Sequence, residues 1–579
     1  MNIKQLIPML DWLPKYKGAQ FKGDLSAGLT VGVMLIPQGM AYAMIAGLPP
    51  QYGLYASMLP LVIYAIFGTS RQLAVGPSAL VSLLTVAGIG SMAELGSEQY
   101  IALAIALALF VGLIQFALGV FRLGFLVNFL SHPVIIGFTA AAALVIGLSQ
   151  LKHLLGFSIP RGLKVHEIIL TAINNFSNTH WATFGIGVGG IAIILLAKKI
   201  NKAIPGPLLA VTFGIIIVSI FNLGNEGVKI VREIPNSIPS LRAPIFDTET
   251  IHLLFPVALA IALVSFMESI AIAKAVHAKH KDYKIDSNQE LLALGVANII
   301  GSFSLSYPTT GGFSRTAVND QAGAKTGIAA IISAFLVLLT LLFFTPVFYN
   351  LPKAILGSII MVSAFSLIDT KEIKHLWASN KTDFSMFLVT FFATLILGVE
   401  EGIGLGVILS LAMVIFKTTR PHVAVLGNVP NTHFYRNIER FNNLEIKDEI
   451  LIVRFDAQLY FANANYFKEK IESLVEEKGK QLKLIIINAE SINNLDSSAV
   501  HALSEVVEDL NKDHIEIAFT GVKGPVRDAM VRGHILDVIK DDHFFMSVQE
   551  AVDCYELKCY HPDSKKTQNL DDYTLQTNA

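Results

Sequence analysis

The sequence predicts an α-helical polytopic membrane protein that ends in a small cytosolic α/β domain, and three observations predict it. The 579 residues are 53% hydrophobic and only 15% charged, with a mean hydropathy of +0.56, too apolar for a soluble chain of this size. Apolar runs then follow one another from about Asp24 to Arg420 without a soluble insertion. Beyond Arg420 the pattern changes to short strand-like and helix-like stretches in alternation.

Taken in order, the N-terminal segment MNIKQLIPMLDWLPKYKG is amphipathic and has neither a long apolar core nor an A-x-A site. It reads as a cytosolic interfacial segment over 1–22. Fourteen apolar runs follow, near 24–47, 51–68, 74–91, 99–121, 124–148, 181–200, 205–222, 252–276, 288–304, 311–320, 324–350, 353–369, 382–398 and 400–417. They fill a transmembrane region of 23–420. The loop charges test the count. Lys22, Arg71, Arg122, Lys198, Lys199, Lys202, Lys279, Lys281, Lys284, Lys325, Lys371, Lys374, Lys417 and Arg420 all fall on one side, the cytoplasmic side by the positive-inside rule. Glu94, Glu98, Glu400 and Glu401 fall on the other, and both termini lie inside. One loop resists, because Lys152, Arg161 and Lys164 sit on the outer side.

Two runs are broken. In YPTTGGFSRTAVND, Tyr307–Asp320, a proline, a glycine pair and an arginine interrupt apolar sequence. Exposed backbone groups and an unpaired guanidinium each cost several kcal/mol in hydrocarbon, so the segment must line a protein cavity. A helix restarting there aims free N–H groups at the bilayer centre beside Arg315, which makes a candidate anion site. In RQLAVGPSALVSLL, Arg71–Leu84, Gly76-Pro77-Ser78 breaks a run in the same way, with proline and serine suited to a new helix start. Pro77 and Gly312 are 235 positions apart (312 − 77), and Gln38 and Glu268 are 230 apart (268 − 38). Seven spans per half is an odd number, so the second half enters the membrane inverted. Inverted repeats with paired broken helices point to a secondary transporter with its site at the midplane.

After Arg420, residues 421–445 read as a polar linker and 446–556 as the α/β domain, with EILIVRFDAQLYF, LKLIIINA and HIEIAFTGV as strands. NANYFKEKIESLVEEKG, SSAVHALSEVVEDLNK and PVRDAMVRGHILDVI read as helices, and 557–579 as a disordered tail. Cys554, Cys559 and His561, read as lying in the polar C-terminal stretch, are taken as unligated, so no metal or other cofactor is expected. A net charge of −1 offers no basic face for nucleic acid. No HExxH, P-loop or nucleophile elbow speaks for an enzyme. Ser287–Glu290 (SNQE) reads as a capping box and as structural only, and His277, His280 and His375 as solvated or interfacial.

The motifs IPQGMAYAMIAGLPPQYGLYAS, GTSRQLAVGPSALVSLL, ESIAIAKAVHAKHKDYKIDSNQELLALGVANIIGSF and YPTTGGFSRTAVNDQAGAKTG resemble the sulfate permease (SulP) family of anion transporters, related to prestin and pendrin. The C-terminal domain resembles the STAS domain that ends those proteins. The resemblance covers about residues 20–555. It implies fourteen spans in two inverted repeats, split into core and gate domains, usually in a homodimer, with elevator-like motion of core against gate. It also implies an anion site of Gln38, Tyr42, Ser78, Ala79, Gly312, Ser314 and Arg315, and an acidic position, Glu268, that proton-coupled members use.

The resulting expectation is a transporter of the cytoplasmic membrane importing sulfate or a similar small oxyanion with a proton. A bicarbonate or dicarboxylate symporter, an anion exchanger and an anion channel are the alternatives. Two half-helix termini of roughly +0.5 each and one arginine approximately neutralise a divalent anion, and an ionised Glu268 would repel it, so a proton joins Glu268 as the anion enters. The plainer reading of Glu268 is a permanent ion pair with Arg315 or Lys274. For Gln38 it is a contact to a neighbouring helix, and for Tyr42 and Ser78 ordinary packing. In the STAS domain, Ser497 reads as a phosphorylation site or, with Asp496, as a helix cap.

Overall fold

The computed structural model describes residues 6–125, 131–160, 164–200, 205–280, 283–539 and 543–557, without the side chains of Val399, Glu400, Ile403 and Asp537. Arg161, Lys202, Lys281, Cys559, His561 and the tail from 558 lie outside the described residues. The chain forms two compact units, Met1–Leu411 and Ala412–Ala579.

Each of the fourteen runs becomes a helical segment, the last running past Leu411 to Thr419. The first half comprises α1 (Gly18–Ile45), α2 (Leu59–Phe67, entered through the short helix Pro50–Tyr55), α3 (Ala79–Ile89), α4 (Glu98–Val120), α5 (His132–Ser149), α6 (Trp181–Ile200) and α7 (Gly206–Ile220). The second comprises α8 (Thr248–His277), α9 (Ser287–Phe303), α10 (Phe313–Gln321), α11 (Ile328–Leu339), α12 (Lys353–Phe365), α13 (Lys381–Ile396) and α14 (Val399–Thr419). Among the described residues, seven stretches are long and apolar enough to cross a membrane. Polar caps start several of the helices. The side chains of Ser97, Asp247 and Asn380 accept from Tyr100, Thr250 and Thr382 amides, which fixes where α4, α8 and α13 begin. The first span starts at Gly18, earlier than expected, where the Gln20 side chain accepts from the Lys17 amide at 2.9 Å ahead of the apolar run.

Packing repeats with the sequence order. Helix α4 packs on α8 and α9, and seven positions later α11 packs on α1 and α2. The pairs α5–α13 and α6–α12, and likewise α1–α10 and α3–α8, are related in the same way. Two sub-bundles result, α1–α4 with α8–α11 and α5–α7 with α12–α14. Helices α1 and α3 reach across to α12 and α5. Close approach explains the tightest pair: a Cβ on Gly112 of α4 would lie 2.8 Å from the Gly295 carbonyl oxygen of α9, and one on Gly295 2.8 Å from that of Gly112.

In the second unit six strands, β3 (Val423–Asn428), β4 (Tyr435–Asn437), β5 (Ile450–Phe455), β6 (Leu484–Asn488), β7 (Glu516–Thr520) and β8 (Phe544–Phe545), lie in the order β4-β3-β5-β6-β7-β8. The β5–β8 ladder is parallel and β3 runs antiparallel to both its neighbours. Helices α15 (Ala464–Lys478), α16 (Ser497–Lys512) and α17 (Gly524–Arg532) cover one face, and α18 (Val548–Glu556) the other. Three readings need correction. Residues 421–445, expected to be a linker, hold the β3–β4 hairpin; its polar loop outweighs the short VAVLG alternation that marks β3. The last expected helix stops at Arg532, with Gly533 after it. Cys554 lies buried in α18 and not in a polar tail.

Candidate functional site

The two breaks meet each other. β1 (Val75–Gly76) and β2 (Thr310–Gly311) pair antiparallel, Val75 opposite Gly311 and Gly76 opposite Thr310, and the Gly312 amide donates to the Ala74 carbonyl at 3.0 Å. Each strand leads directly into a half-helix, α3 or α10, so both helix N-termini leave one short ladder. Ser78 caps α3, its hydroxyl accepting from the Val81 amide at 3.3 Å, and buried Ala79 is the first helical residue. Gly312 occupies the equivalent place on α10 and offers no side-chain cap, so among the described residues no side chain caps the amides of that first turn.

Arg315 lies one residue beyond Ser314 on α10 and is 2% exposed. Its Nη1 donates to the Pro77 carbonyl, which ties the second half-helix to the first break. Nε and Nη2 have no partner among the described residues. The guanidinium folds over Gly312, where a Cβ would come within 2.6 Å of Nη2. Gln38 and Tyr42, both buried, come from α1 beside Pro37; Gln38 is 3% exposed and its Oε1 also lacks a partner. Tyr42 reaches Ser363 of α12. From α8 the partly buried Glu268 meets the Ser78 hydroxyl, Oγ to Oε2 at 3.5 Å. Among the described residues Glu268 has no ion-pair partner within 4 Å, so neither Arg315 nor Lys274 holds it in the pair weighed from the sequence. Ser314 and Phe313 are exposed, opening the start of α10 to its surroundings.

Sequence reasoning missed the polar layer behind this cluster. Asn298 of α9 accepts from the Thr309 amide at 2.8 Å and the Thr309 hydroxyl at 3.0 Å through Oδ1, and donates to the Thr309 carbonyl and to Gln115 of α4 at 3.1 Å each. Gln115 donates to Ser265 at 2.8 Å, the Gly311 amide donates to Ser269 at 2.9 Å, and Thr310 donates to the Ser265 carbonyl at 2.7 Å. Tyr307, fully buried, meets Ser82 of α3 at 3.1 Å. The signal was available, since Gln115 and Asn298 each interrupt an apolar run.

Glu290 also departs from its reading. Asp286 takes the cap of α9, accepting from the amides of Asn288 and Gln289 at 2.8 and 3.1 Å. The fully buried Glu290 carboxylate instead accepts from Tyr64, from the Thr69 amide and hydroxyl, and from the Ser70 amide, at 2.6–3.1 Å. It holds the turn that enters the first break. His280, expected to be solvated or interfacial, pairs with Asp320 at the end of α10, as does Lys279 at 3.2 Å. In the second unit Asp496 caps α16 through the Ala499 amide at 2.9 Å, and Ser497 beside it is exposed.

Comparison with known proteins gives concordant findings. The profile described as "Sulfate permease family" matches residues 21–390 and that described as "STAS domain" residues 442–551. The chain is 40% identical over 569 residues to "Sulfate transporter 4.1, chloroplastic" of Arabidopsis thaliana, covering 95% of this chain and 82% of that protein. It is 36% identical over 578 residues to "High affinity sulfate transporter 2" of Stylosanthes hamata, covering 96% and 87%. Among solved structures, the murine Solute Carrier 26 family member A9 anion transporter in the inward-facing state superposes with a TM-score of 0.87 at 27% identity, over 96% of this chain and 94% of that one.

Proposed function

Because the chain belongs to the sulfate permease family, one of anion transporters and not of enzymes, we propose that it imports sulfate or a similar small oxyanion together with a proton. The observation that supports this reading most is the pair of guanidinium nitrogens of Arg315 that have no partner among the described residues, buried between two half-helix N-termini. A buried donor without an acceptor costs about 1–3 kcal/mol, more when charged, unless a ligand completes it. Two helix termini and one arginine amount to roughly two positive charges, enough to offset a divalent oxyanion. Gln38, Tyr42, Ser78, Ala79, Gly312 and Ser314 complete the pocket in this reading, and the two sulfate transporters named above agree with the choice of anion.

Glu268 supplies the coupling. Ionised, it repels the incoming anion; with a proton on it, the repulsion is gone and the Ser78 hydroxyl remains as partner. Anion and proton therefore cross as a pair, in an elevator-like displacement of α1–α4 and α8–α11 against α5–α7 and α12–α14. The reading puts the protein in the cytoplasmic membrane as a homodimer, with both termini and the STAS domain in the cytosol. Ser497 is there the phosphate acceptor.

The test is uptake of labelled sulfate into proteoliposomes under an imposed inward proton gradient, with bicarbonate and fumarate as competitors and Glu268→Gln in parallel. Saturable, gradient-driven uptake that the variant loses is the expected result. Proton-indifferent uptake abolished by bicarbonate or fumarate would overturn both substrate and coupling.

A further inference from the structure

Lys152, one of the outer-side cations that resist the positive-inside pattern, meets three further cations in the fold. The segment Val228–Arg232 runs antiparallel to Tyr349–Lys353: Val231 donates to the Leu351 carbonyl at 2.9 Å, Arg232 to Tyr349 at 3.1 Å and Lys353 to Lys229 at 2.8 Å, around an Ile230–Pro352 bridge. This brings Lys229 and Arg232 beside Lys353, the first residue of α12. From the short helix Leu151–Leu155 that follows α5, Lys152 and His153 join them; Lys152, Lys229 and Lys353 all lie within electrostatic reach of His153, which packs against Gly357 one turn along α12. His180 holds the approach to the loop, one ring nitrogen 3.0 Å from the Glu226 carbonyl.

The arrangement is costly as it stands. A lysine at a helix N-terminus sits at the positive end of the macrodipole. Among the described residues no carboxylate lies within 4 Å of Lys229, Arg232 or Lys353, although Glu226 and Glu233 are in the same loop. Three elements from distant parts of the chain thus converge four cations and a histidine on one face. An odd number of crossings separates that face from the N-terminus. Helix α12 continues from it to Ser363, the neighbour of Tyr42, ten residues or about 15 Å further in.

We propose that Lys152, Lys229, Arg232 and Lys353 form an outer docking site for a small oxyanion, which gathers the substrate at the mouth of α5 and α12 before it reaches Arg315. The proposal rests on the reading of the chain as an importer of such anions. Clefts of one sign raise the local concentration of the opposite ion about tenfold or more and lose that advantage in salt.

Two measurements on the full-length protein in proteoliposomes test it. With Cys554 and Cys559 replaced by serine, Lys229→Cys is reacted with anionic and cationic thiol reagents. The anionic reagent should react several-fold faster, sulfate at constant ionic strength should slow it, and adding Arg232→Gln should remove the difference. Equal rates, or no effect of sulfate, would overturn the site, and this arm needs no transport. Separately, Lys229→Gln with Arg232→Gln should raise the KM for the transported anion roughly tenfold at low salt, leave the maximal rate unchanged and flatten its salt dependence. An unchanged KM would overturn the docking role. If the wild type carries no sulfate, the substrate reading fails while the thiol arm still decides the cluster.

Discussion

The two breaks share a backbone plan and differ in almost everything else. At the first, Ser78 caps its helix and the break itself, Val75–Ala79, holds no charged residue; at the second, Gly312 leaves the cap open and Arg315 brings a full charge. Their supports differ as well. The turn before the first break hangs on one buried carboxylate, Glu290, whereas the second is held by neutral hydrogen bonds from Asn298, Gln115, Ser265 and Ser269. An inverted repeat thus gives two matching half-helices without giving them matching chemistry. On the proposed reading the difference assigns charge recognition to the second half, while the first supplies polar contacts and, through Ser78, the link to Glu268.

The sharpest way to break this comparison is Arg315→Ala. It should cut anion uptake by roughly 100-fold or more, since losing a desolvated charge partner costs about 2–5 kcal/mol; initial rates in proteoliposomes measure it. Glu290→Ala should lower stability by roughly 3 kcal/mol, because it strands Tyr64, Thr69 and Ser70 donors at about 1–3 kcal/mol each. Thermal unfolding in detergent reads that loss, and Asn298→Ala, which strands the Thr309 amide, should lose less. Gly312→Ala should weaken uptake about tenfold by displacing the guanidinium, with the fold intact, as an off-rotamer side chain costs about 1 kcal/mol. Smallest is Ser78→Ala, where a lost cap costs about 1 kcal/mol and uptake should fall only several-fold. Equal losses at Ser78 and Arg315 would erase the asymmetry.

Much of this plan is legible in the residues themselves. Gly-Pro and Gly-Gly inside apolar runs mark both breaks, and the two strands that pair, Val75–Gly76 and Thr310–Gly311, lie immediately before Pro77 and Gly312. Partnership across the fold is not legible in the same way. Glu290 sits at the spacing of a capping box, but its carboxylate binds groups more than 200 positions away, while Asp286 one residue ahead of the motif takes the cap. The β3–β4 hairpin stays hidden because a six-residue strand next to a polar loop is defined by the β5 edge it joins. Asn298 and Gln115 are visible as polar interruptions, yet only the fold tells that both serve the same loop.

The ladder of β1 and β2 is only two residues long on each side, but it fixes how far apart the two helix starts can be. Arg315 also grips the Pro77 carbonyl, a second tie between the two starts. On the proposed reading the site would work as a caliper of set gap: ions that fit between the jaws would be recognised by span as well as by charge, and a larger anion of the same charge would be refused without any residue dedicated to rejecting it.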